Sequence, residues 1–515
     1  MSFLSLPSRT ALLAMDIARP IFLRSYRVFL MTSTLSSEPL AALSPYAAWR
    51  TAAEAMRHVP AYREFLAAQG FADQPHRDVP TRFRALPVMD KQNYIKAYSI
   101  EARCRSGRIP LRFTQVDESS GSSGRPYNWV RSQKELHNMH LEMSQFARYL
   151  FGDDLVVINA FSMGAWATGI NVAESLRRIA MVKSTGPDLD KIIDTLEFFG
   201  PRYRYVICGY PPFLKHVIDA GSAKGIDWSQ YRIGALVGGE AISEQMRDYI
   251  QGCFRPVYSA YGASDLDMGV AAELPLTIWI RRQAADNTQL RRALFGPDGR
   301  LPMLFQYNPV DYLVETNEHG ELIVTVNRQH ALSPRIRYNL HDAGGTITFK
   351  DAMKILDRLG LLDQSRRLLE GQPHWQMPFL YLFGRSDSTI SYMGANIYPE
   401  DVERAVFRSG EDHRRFGAFC MELVSTGHAH EERPCLHLEL LTPVDETGVA
   451  SQLRTRLVAY LQDVNRDFAT ALAEDPTAGE IVVRFHSPGQ GPFSVNSSRI
   501  KRVFALPTSV AAPVG

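Results

Sequence analysis

The sequence predicts an α/β protein: a large N-terminal α/β unit with mostly parallel strands, followed by a smaller α+β unit. Three observations predict it. From about residue 155, short Val- and Ile-rich runs alternate with helical stretches, as buried parallel strands with crossover helices do. Near residue 388 the chain changes to longer strands mixed with one long helix. Finally, 515 residues with 45% hydrophobic and 22% charged usage exceed one simple domain and bury a large core without staples.

The elements follow in order. Residues 1–45 form an N-terminal helical extension. Within it, residues 11–31 are apolar but interrupted by Asp16, Arg19, Arg24 and Arg27. No uninterrupted run approaches the roughly 20 residues of a membrane span, and no small-residue cleavage pattern marks a secretory signal. An amphipathic helix packed on the body is expected here. The other reading is a basic interfacial helix in weak contact with a membrane surface. Pro20 is expected to kink or break it. Residues 46–70 carry helical periodicity with a turn at His58-Val59-Pro60, and 134–150 form another helix. LVVINAF (155–161), RYVICGY (204–210) and GALVGG (234–239) read as strands separated by helices such as 188–199 and 243–252. ELIVTVN (321–327) is a further strand, and 350–370 is an amphipathic helical stretch. CLHLELL (435–441), a long helix near 448–470 and IVVRFHS (481–487) make up the α+β unit, about 130 residues and a plausible separate domain.

Composition excludes several classes. Lys+Arg number 57 and Asp+Glu 55, so the net charge is 57 − 55 = +2. That balance lacks the basic excess of a nucleic-acid binder. The apolar content excludes a disordered chain. Five cysteines with no C-x-x-C pair argue against a disulfide framework or structural zinc, and for free thiols in a reducing cytoplasm.

The motifs that carry chemistry begin with Ser119-Ser120-Gly121-Ser122-Ser123-Gly124-Arg125-Pro126, after LRFTQV. Glycines let backbone N–H groups converge on an anion, and serine hydroxyls add donors with little bulk. The stretch suits a polyphosphate but lacks the spacing of a P-loop. Four further motifs follow in order: Gly238-Gly239-Glu240 at a strand end, Tyr261-Gly262-Ala263-Ser264-Asp265, the run Pro334 to Asp342, and Gly384-Arg385-Ser386-Asp387 leading to Gly394, Asn396, Pro399 and Glu403.

With these motifs in this order, the chain resembles the acyl-adenylate-forming superfamily over roughly residues 46–505. Within it, HVPAYREFLAAQGF … LPVMDKQNYI and GGEAISEQMRDYI running into YGASD are similar to the phenylacetate–CoA ligase and capsule-biosynthesis branch. The resemblance implies ATP-dependent activation of a carboxylic acid as acyl-AMP, then transfer to a thiol, with coenzyme A the expected acceptor. An amine or a carrier-protein thiol is the alternative, and a nucleotide-binding protein impaired in catalysis is the remote one.

The resemblance also assigns residues. It implies that Ser119, Ser120, Gly121, Ser122, Ser123 and Gly124 hold the β- and γ-phosphates. Gly238, Gly239 and Glu240 would lie along the adenine, with Tyr261 stacked on it and Gly262 beside it. Asp342 would accept from both ribose hydroxyls, and Arg385 would reach the ribose or phosphate. Asp265 stands where the family has a glutamate that helps bind Mg²⁺; Asp267, two residues on, is a second candidate. Asp387 resembles the hinge between an AMP-binding domain (46–386) and a mobile C-terminal domain (387–515), with Gly394 entering the site in the thiol-transfer conformation. Phe161, Trp166 and Tyr210 fall in the stretches that build the acyl pocket, where aromatic walls suit an apolar or aromatic acid. Two departures stand out. Leu340-His341 replaces the usual Thr-Gly before Asp342. Ser497-Ser498-Arg499-Ile500-Lys501-Arg502 replaces the usual Ser/Thr-x-Gly-Lys-x-x-Arg, which leaves Arg499 or Lys501 to supply the catalytic cation.

Overall fold

The structure, a computed structural model, describes residues 6–33, 36–118, 127–164, 167–297, 300–328, 330–385, 390–392, 395–425, 432–474 and 476–493. Ser119 to Gly124, Trp166, Asp387, Gly394, Arg499 and Lys501 lie outside the described residues.

The strands, in chain order, are β1 (Thr114–Glu118), β2 (Asn128–Ser132), β3 (Leu155–Asn159), β4 (Ala180–Ser184), β5 (Arg204–Gly209), β6 (Arg232–Gly238), β7 (Val257–Tyr261), β8 (Ala271–Ala272), β9 (Met303–Tyr307), β10 (Tyr312–Thr316), β11 (Glu321–Val326), β12 (Tyr338–Ile347), β13 (Phe379–Arg385), β14 (Ile390–Tyr392), β15 (Ala395–Ile397), β16 (Phe416–Ser425), β17 (Glu432–Leu440) and β18 (Val482–His486). Eleven form one sheet in the order β10-β11-β12-β13-β9-β8-β7-β6-β5-β3-β4. Its β4-β3-β5-β6-β7 half is parallel. The Val/Ile runs mark these strands because both faces are covered: all five residues of β3 are buried. From β7 to β10 every pairing is antiparallel, so the sheet is mixed, with its parallel half the one the sequence announces.

Strand order fixes where a ligand fits. The chain runs from β3 outward to β4, then returns to β5 on the other side of β3. Such a reversal opens a crevice beyond the carboxyl ends of the two neighbouring strands. The crossover helices Ala167–Leu176, Leu189–Phe199, Pro211–Ala223 and Glu244–Gln251 connect β3 to β7 in succession.

A second core is separate from the first. Ile390, Val402, Phe407, Phe419, Leu436, Leu457 and Leu461 cluster within 390–481, where β16, β17 and β18 form a three-stranded sheet. The expected long helix at 448–470 is two, Glu446–Val464 and Arg466–Glu474. Asn465 sits extended between them, and its side-chain oxygen accepts from the Phe468 N–H at 3.0 Å, as a helix-initiating cap does. The large unit and the smaller one touch where Arg300 lies 3.8 Å from the Tyr398 ring centroid and Arg404 donates to the Leu301 carbonyl.

The N-terminal segment forms the helices Leu6–Arg24 and Tyr26–Ser33. The first continues through Pro20 and ends four residues later. It packs on the body: Leu12 and Leu23 are buried, Arg19 pairs with Glu142 and, at 2.5 Å, with Asp311, and Phe29 contacts the rings of Tyr149 and Trp375. Among the described residues, no helix is long and apolar enough to cross a membrane.

Candidate active site

Four parallel strands deliver their last residues to one edge. Phe161, two residues beyond β3, and Tyr210, which follows β5, are both buried. Their ring centroids are 5.2 Å apart at 89°, an edge-to-face pair that the ring quadrupoles favour. The pair therefore sits at the crevice between β3 and β5. Burial, followed by the nearby Glu240 charge, raises the Tyr210 phenol above its ordinary value.

Gly238 and Gly239 turn the chain out of β6. A Cβ on Gly238 would lie 3.0 Å from the Ala260 carbonyl oxygen. Gly239 has φ +83°, and a Cβ there would stand 2.5 Å from Cε1 of Tyr210. Both need to be glycine for backbone reasons before any ligand is considered. A Gly239→Ala variant is accordingly expected to lose about 2 kcal/mol or more of stability from left-handed strain plus displacement of Tyr210. Chemical denaturation of the purified variant measures that loss.

The next strand brings the polar pair. The Tyr261 hydroxyl donates to Oδ2 of Asp342 at 2.5 Å, while its ring stacks near Phe305 at 6.0 Å. Asp342 lies on β12 directly opposite Arg385 of β13. Tyr261, Asp342 and the Arg385 backbone position thus converge from three distant parts of the chain.

The loop from Gly262 to Met268 folds tightly on itself, with the Ala263 N–H donating to the Asp267 carbonyl at 3.0 Å. Buried cations hold its carbonyls. Arg131 donates to Ser264 O at 2.8 Å and Leu266 O at 3.0 Å, and Arg335 donates to Asp265 O at 2.7 Å. The Tyr338 hydroxyl donates to Oδ2 of Asp265 at 2.9 Å. Arg131 also reaches Asp117 of β1 at 3.2 Å, so it ties both strands flanking residues 119–126 to the Tyr261 loop. Burial, then the neighbouring Arg131 charge, brings the Arg335 guanidinium down to about 10, which leaves it cationic at neutral pH. Arg131 stands in none of the sequence motifs, and Arg335 and Tyr338 lie within the run Pro334 to Asp342 with no pattern of their own to mark a bracing role.

Asp267, the second metal candidate, is already engaged. It accepts from Arg328 at 2.8 Å and from the Tyr312 hydroxyl at 3.0 Å, in a buried position. Asp265 is half-buried. Among the described residues, no group of three or more His, Cys, Asp or Glu could hold a metal ion.

No family model matches the chain. A phenylacetate-coenzyme A ligase of Escherichia coli (strain K12) is 22% identical over 382 residues, which is 73% of this chain and 78% of that protein. A 2-hydroxyisobutyryl-CoA ligase in the postadenylation state, in complex with R3-HIB-AMP, has the same fold, with a TM-score of 0.65 at 13% identity over 92% of this chain and 90% of that one. An open conformation of that ligase with 2-HIB-AMP and CoA gives a TM-score of 0.55 at 14% identity over 92% and 93% of the two chains. The chain thus shares the fold of an acyl-AMP-carrying CoA ligase and is similar in sequence to a phenylacetate-coenzyme A ligase.

One departure from the acyl-adenylate-forming pattern has a structural explanation. His341 occupies the place of the usual glycine and has φ +64°, the left-handed conformation that glycine adopts without strain. Its N–H donates to Oδ1 of Asn339 at 2.8 Å, and its Nδ1 lies 3.1 Å from Oε1 of Glu321. Asn339 in turn donates to Oε2 of Glu321 at 2.8 Å. A local polar network holds the backbone turn, so Asp342 keeps its position without the glycine.

Proposed function

We propose that this adenylate-forming ligase activates a carboxylic acid with ATP and passes the acyl group to a thiol, with coenzyme A as the acceptor. The observation that carries the reading is the Tyr261–Asp342 hydrogen bond at the same sheet edge as the Phe161–Tyr210 pair: a carboxylate able to accept from hydroxyls, beside an aromatic wall. In the first step a substrate carboxylate oxygen attacks the α-phosphorus, the bond to the bridging oxygen breaks, and pyrophosphate leaves. In the second, the thiol adds to the acyl carbon and AMP leaves.

Catalysis of this kind is positioning and charge stabilisation. Asp342 accepts from the ribose hydroxyls, and Tyr261 orients that carboxylate and covers the adenine. Gly238, Gly239, Glu240 and Gly262 line the adenine's path, and Arg385 reaches toward the ribose or phosphate. Ser119 to Gly124 hold the terminal phosphates, with Arg131 fixing the strands on either side of them. Lys501, Arg499 or both neutralise the transferring phosphate. Phe161, Trp166 and Tyr210 wall the acid, which favours an apolar or aromatic one. Asp265 would supply a single carboxylate to a magnesium ion, which prefers few protein ligands and would offset phosphate charge. The two separate cores support a division near Asp387 between residues 46–386 and a hinged 387–515, with 1–45 as an extension.

Acid-dependent ATP–pyrophosphate exchange across a panel of carboxylic acids tests the first step, and product analysis with coenzyme A, amines and carrier proteins in parallel tests the second. Exchange with at least one apolar acid and a coenzyme A thioester product are expected. Measured ATP binding with no exchange for any acid would replace this reading with a nucleotide-binding one. Amide or carrier-bound product would change the acceptor.

A further inference from the structure

The helix Leu6–Arg24 turns Leu12, Arg19 and Leu23 toward the protein, the leucines buried and the arginine ion-paired to Glu142 and Asp311, a spacing of seven and four that marks one helical face. The opposite face of a surface helix is ordinarily polar. Here it carries Leu13, Ile17 and Ile21, exposed at 60%, 65% and 59%, and four-residue spacing aligns them in one stripe. Ala14, Ala18 and Pro20 are also exposed. The helix Tyr26–Ser33 continues the apolar exposure with Leu30 and with Met31 at 70%. Single exposed apolar residues need no explanation, but an aligned set on one element does.

Basic groups lie on and beside this stripe, and the acidic Asp16 on the same helix is paired with Arg50. Arg24 and Arg27 are exposed on the segment itself. His137, on the helix Gln133–Phe151, and Arg178, in the turn after the helix Ala167–Leu176, are both exposed and lie 3.4 Å apart; partial burial, then the Arg178 and Arg24 charges, disfavours protonation of His137. The acidic groups nearby are neutralised by arginines: Asp16 by Arg50 at 2.7 Å, Glu142 by Arg19 and Arg328, and Asp153 by Arg148 at 2.6 Å.

We propose that this outward face of the N-terminal helices lies in the plane of an anionic lipid surface, with Leu13, Ile17, Ile21 and Met31 in the headgroup–acyl boundary and Arg24, Arg27 and Arg178 facing anionic headgroups. Apolar area and cations on one helical surface are the combination that such an interface takes up. Two copies of the chain packed through this face would bring the same cations together, which disfavours self-association as the occupant.

Flotation of the purified full-length chain with vesicles of phosphatidylcholine alone, or mixed with phosphatidylglycerol, tests the proposal. Binding is expected to the mixed vesicles and to weaken with salt. The Ile17→Glu/Ile21→Glu variant is expected to bind at least about tenfold more weakly. Arg24→Gln should weaken binding roughly fivefold, the contribution of one cation near an anionic surface. The positions are exposed, so a wild-type melting profile for each variant confirms that folding is intact. Absence of wild-type binding to mixed vesicles, or binding unchanged by Ile17→Glu/Ile21→Glu, would overturn the proposal. So would a dimer, detected by light scattering, that this variant dissociates; the occupant would then be a second copy.

Discussion

Replacing Asp342 with alanine is expected to lower kcat/KM for ATP in pyrophosphate exchange by about two to four orders of magnitude. A hydrogen bond to a charged acceptor contributes about 1.5–3 kcal/mol, and a carboxylate that receives both ribose hydroxyls would lose two of them. Asp342 is 6% exposed, so water replaces it poorly. The Tyr261 hydroxyl, which donates to it at 2.5 Å, loses its acceptor as well, and stability should fall by about 1–3 kcal/mol. That loss leaves the protein folded at assay temperature if the wild type has ordinary stability, so activity should fall far more than the folded fraction. Tyr261→Phe separates the contributions. It keeps the ring and removes only the hydroxyl, and the expected loss is about tenfold. The KM for the acid should change little in either variant. Exchange within tenfold of wild type for Asp342→Ala would show that the carboxylate does not hold the ribose.

The same pair shows what was legible in the sequence. Tyr261 and Asp342 are 81 residues apart, and only motif order joins them in a linear reading; the structure joins them through the β7–β8–β9–β13–β12 path of the sheet. The parallel strands were readable because burial on both faces imposes a continuous apolar run. β4, Ala180–Ser184, was not, because it is an edge strand with only partial burial and so shows no such run. β12 was missed for another reason: it contains His341 with positive φ and the adjacent Gly344 and Gly345, a composition that reads as a turn. The arginines that brace the site left no periodic signal, since Arg131 acts across 133 residues of sequence and Arg335 across 70. The N-terminal helix is expected to kink or break at Pro20; it does not end there but runs on to Arg24, where buried Leu23 and the Arg19 ion pairs offset the local preference.

Arg328→Met is expected to destabilise the large α/β unit by about 3–5 kcal/mol, because it removes the cation from a buried network and leaves its anions behind. Arg328 meets Asp267 at 2.8 Å and Glu142 at 3.3 Å, with side-chain exposures of 7% for the arginine and 2% for Asp267. The Tyr312 hydroxyl accepts from Arg328 at 3.3 Å, and its one proton is shared between Asp267 Oδ2 at 3.0 Å and the Gly269 carbonyl at 3.1 Å. Arg19 reaches the same Glu142 from the N-terminal helix, so the network links residues outside the family resemblance to the loop that follows Tyr261. A urea midpoint that falls with an unchanged slope would report the loss as one of stability alone. Arg328→Lys keeps the charge without the planar fork and should lie between wild type and Arg328→Met. Adding Asp267→Asn to Arg328→Met removes the uncompensated anion and should recover part of the loss, so the double-mutant cycle should show clear coupling. A cost below about 1 kcal/mol for Arg328→Met, the range of exposed pairs, would mean that water reaches these carboxylates. In that case Asp267 would again be open to a metal ion, and Asp265 would not be the sole carboxylate ligand.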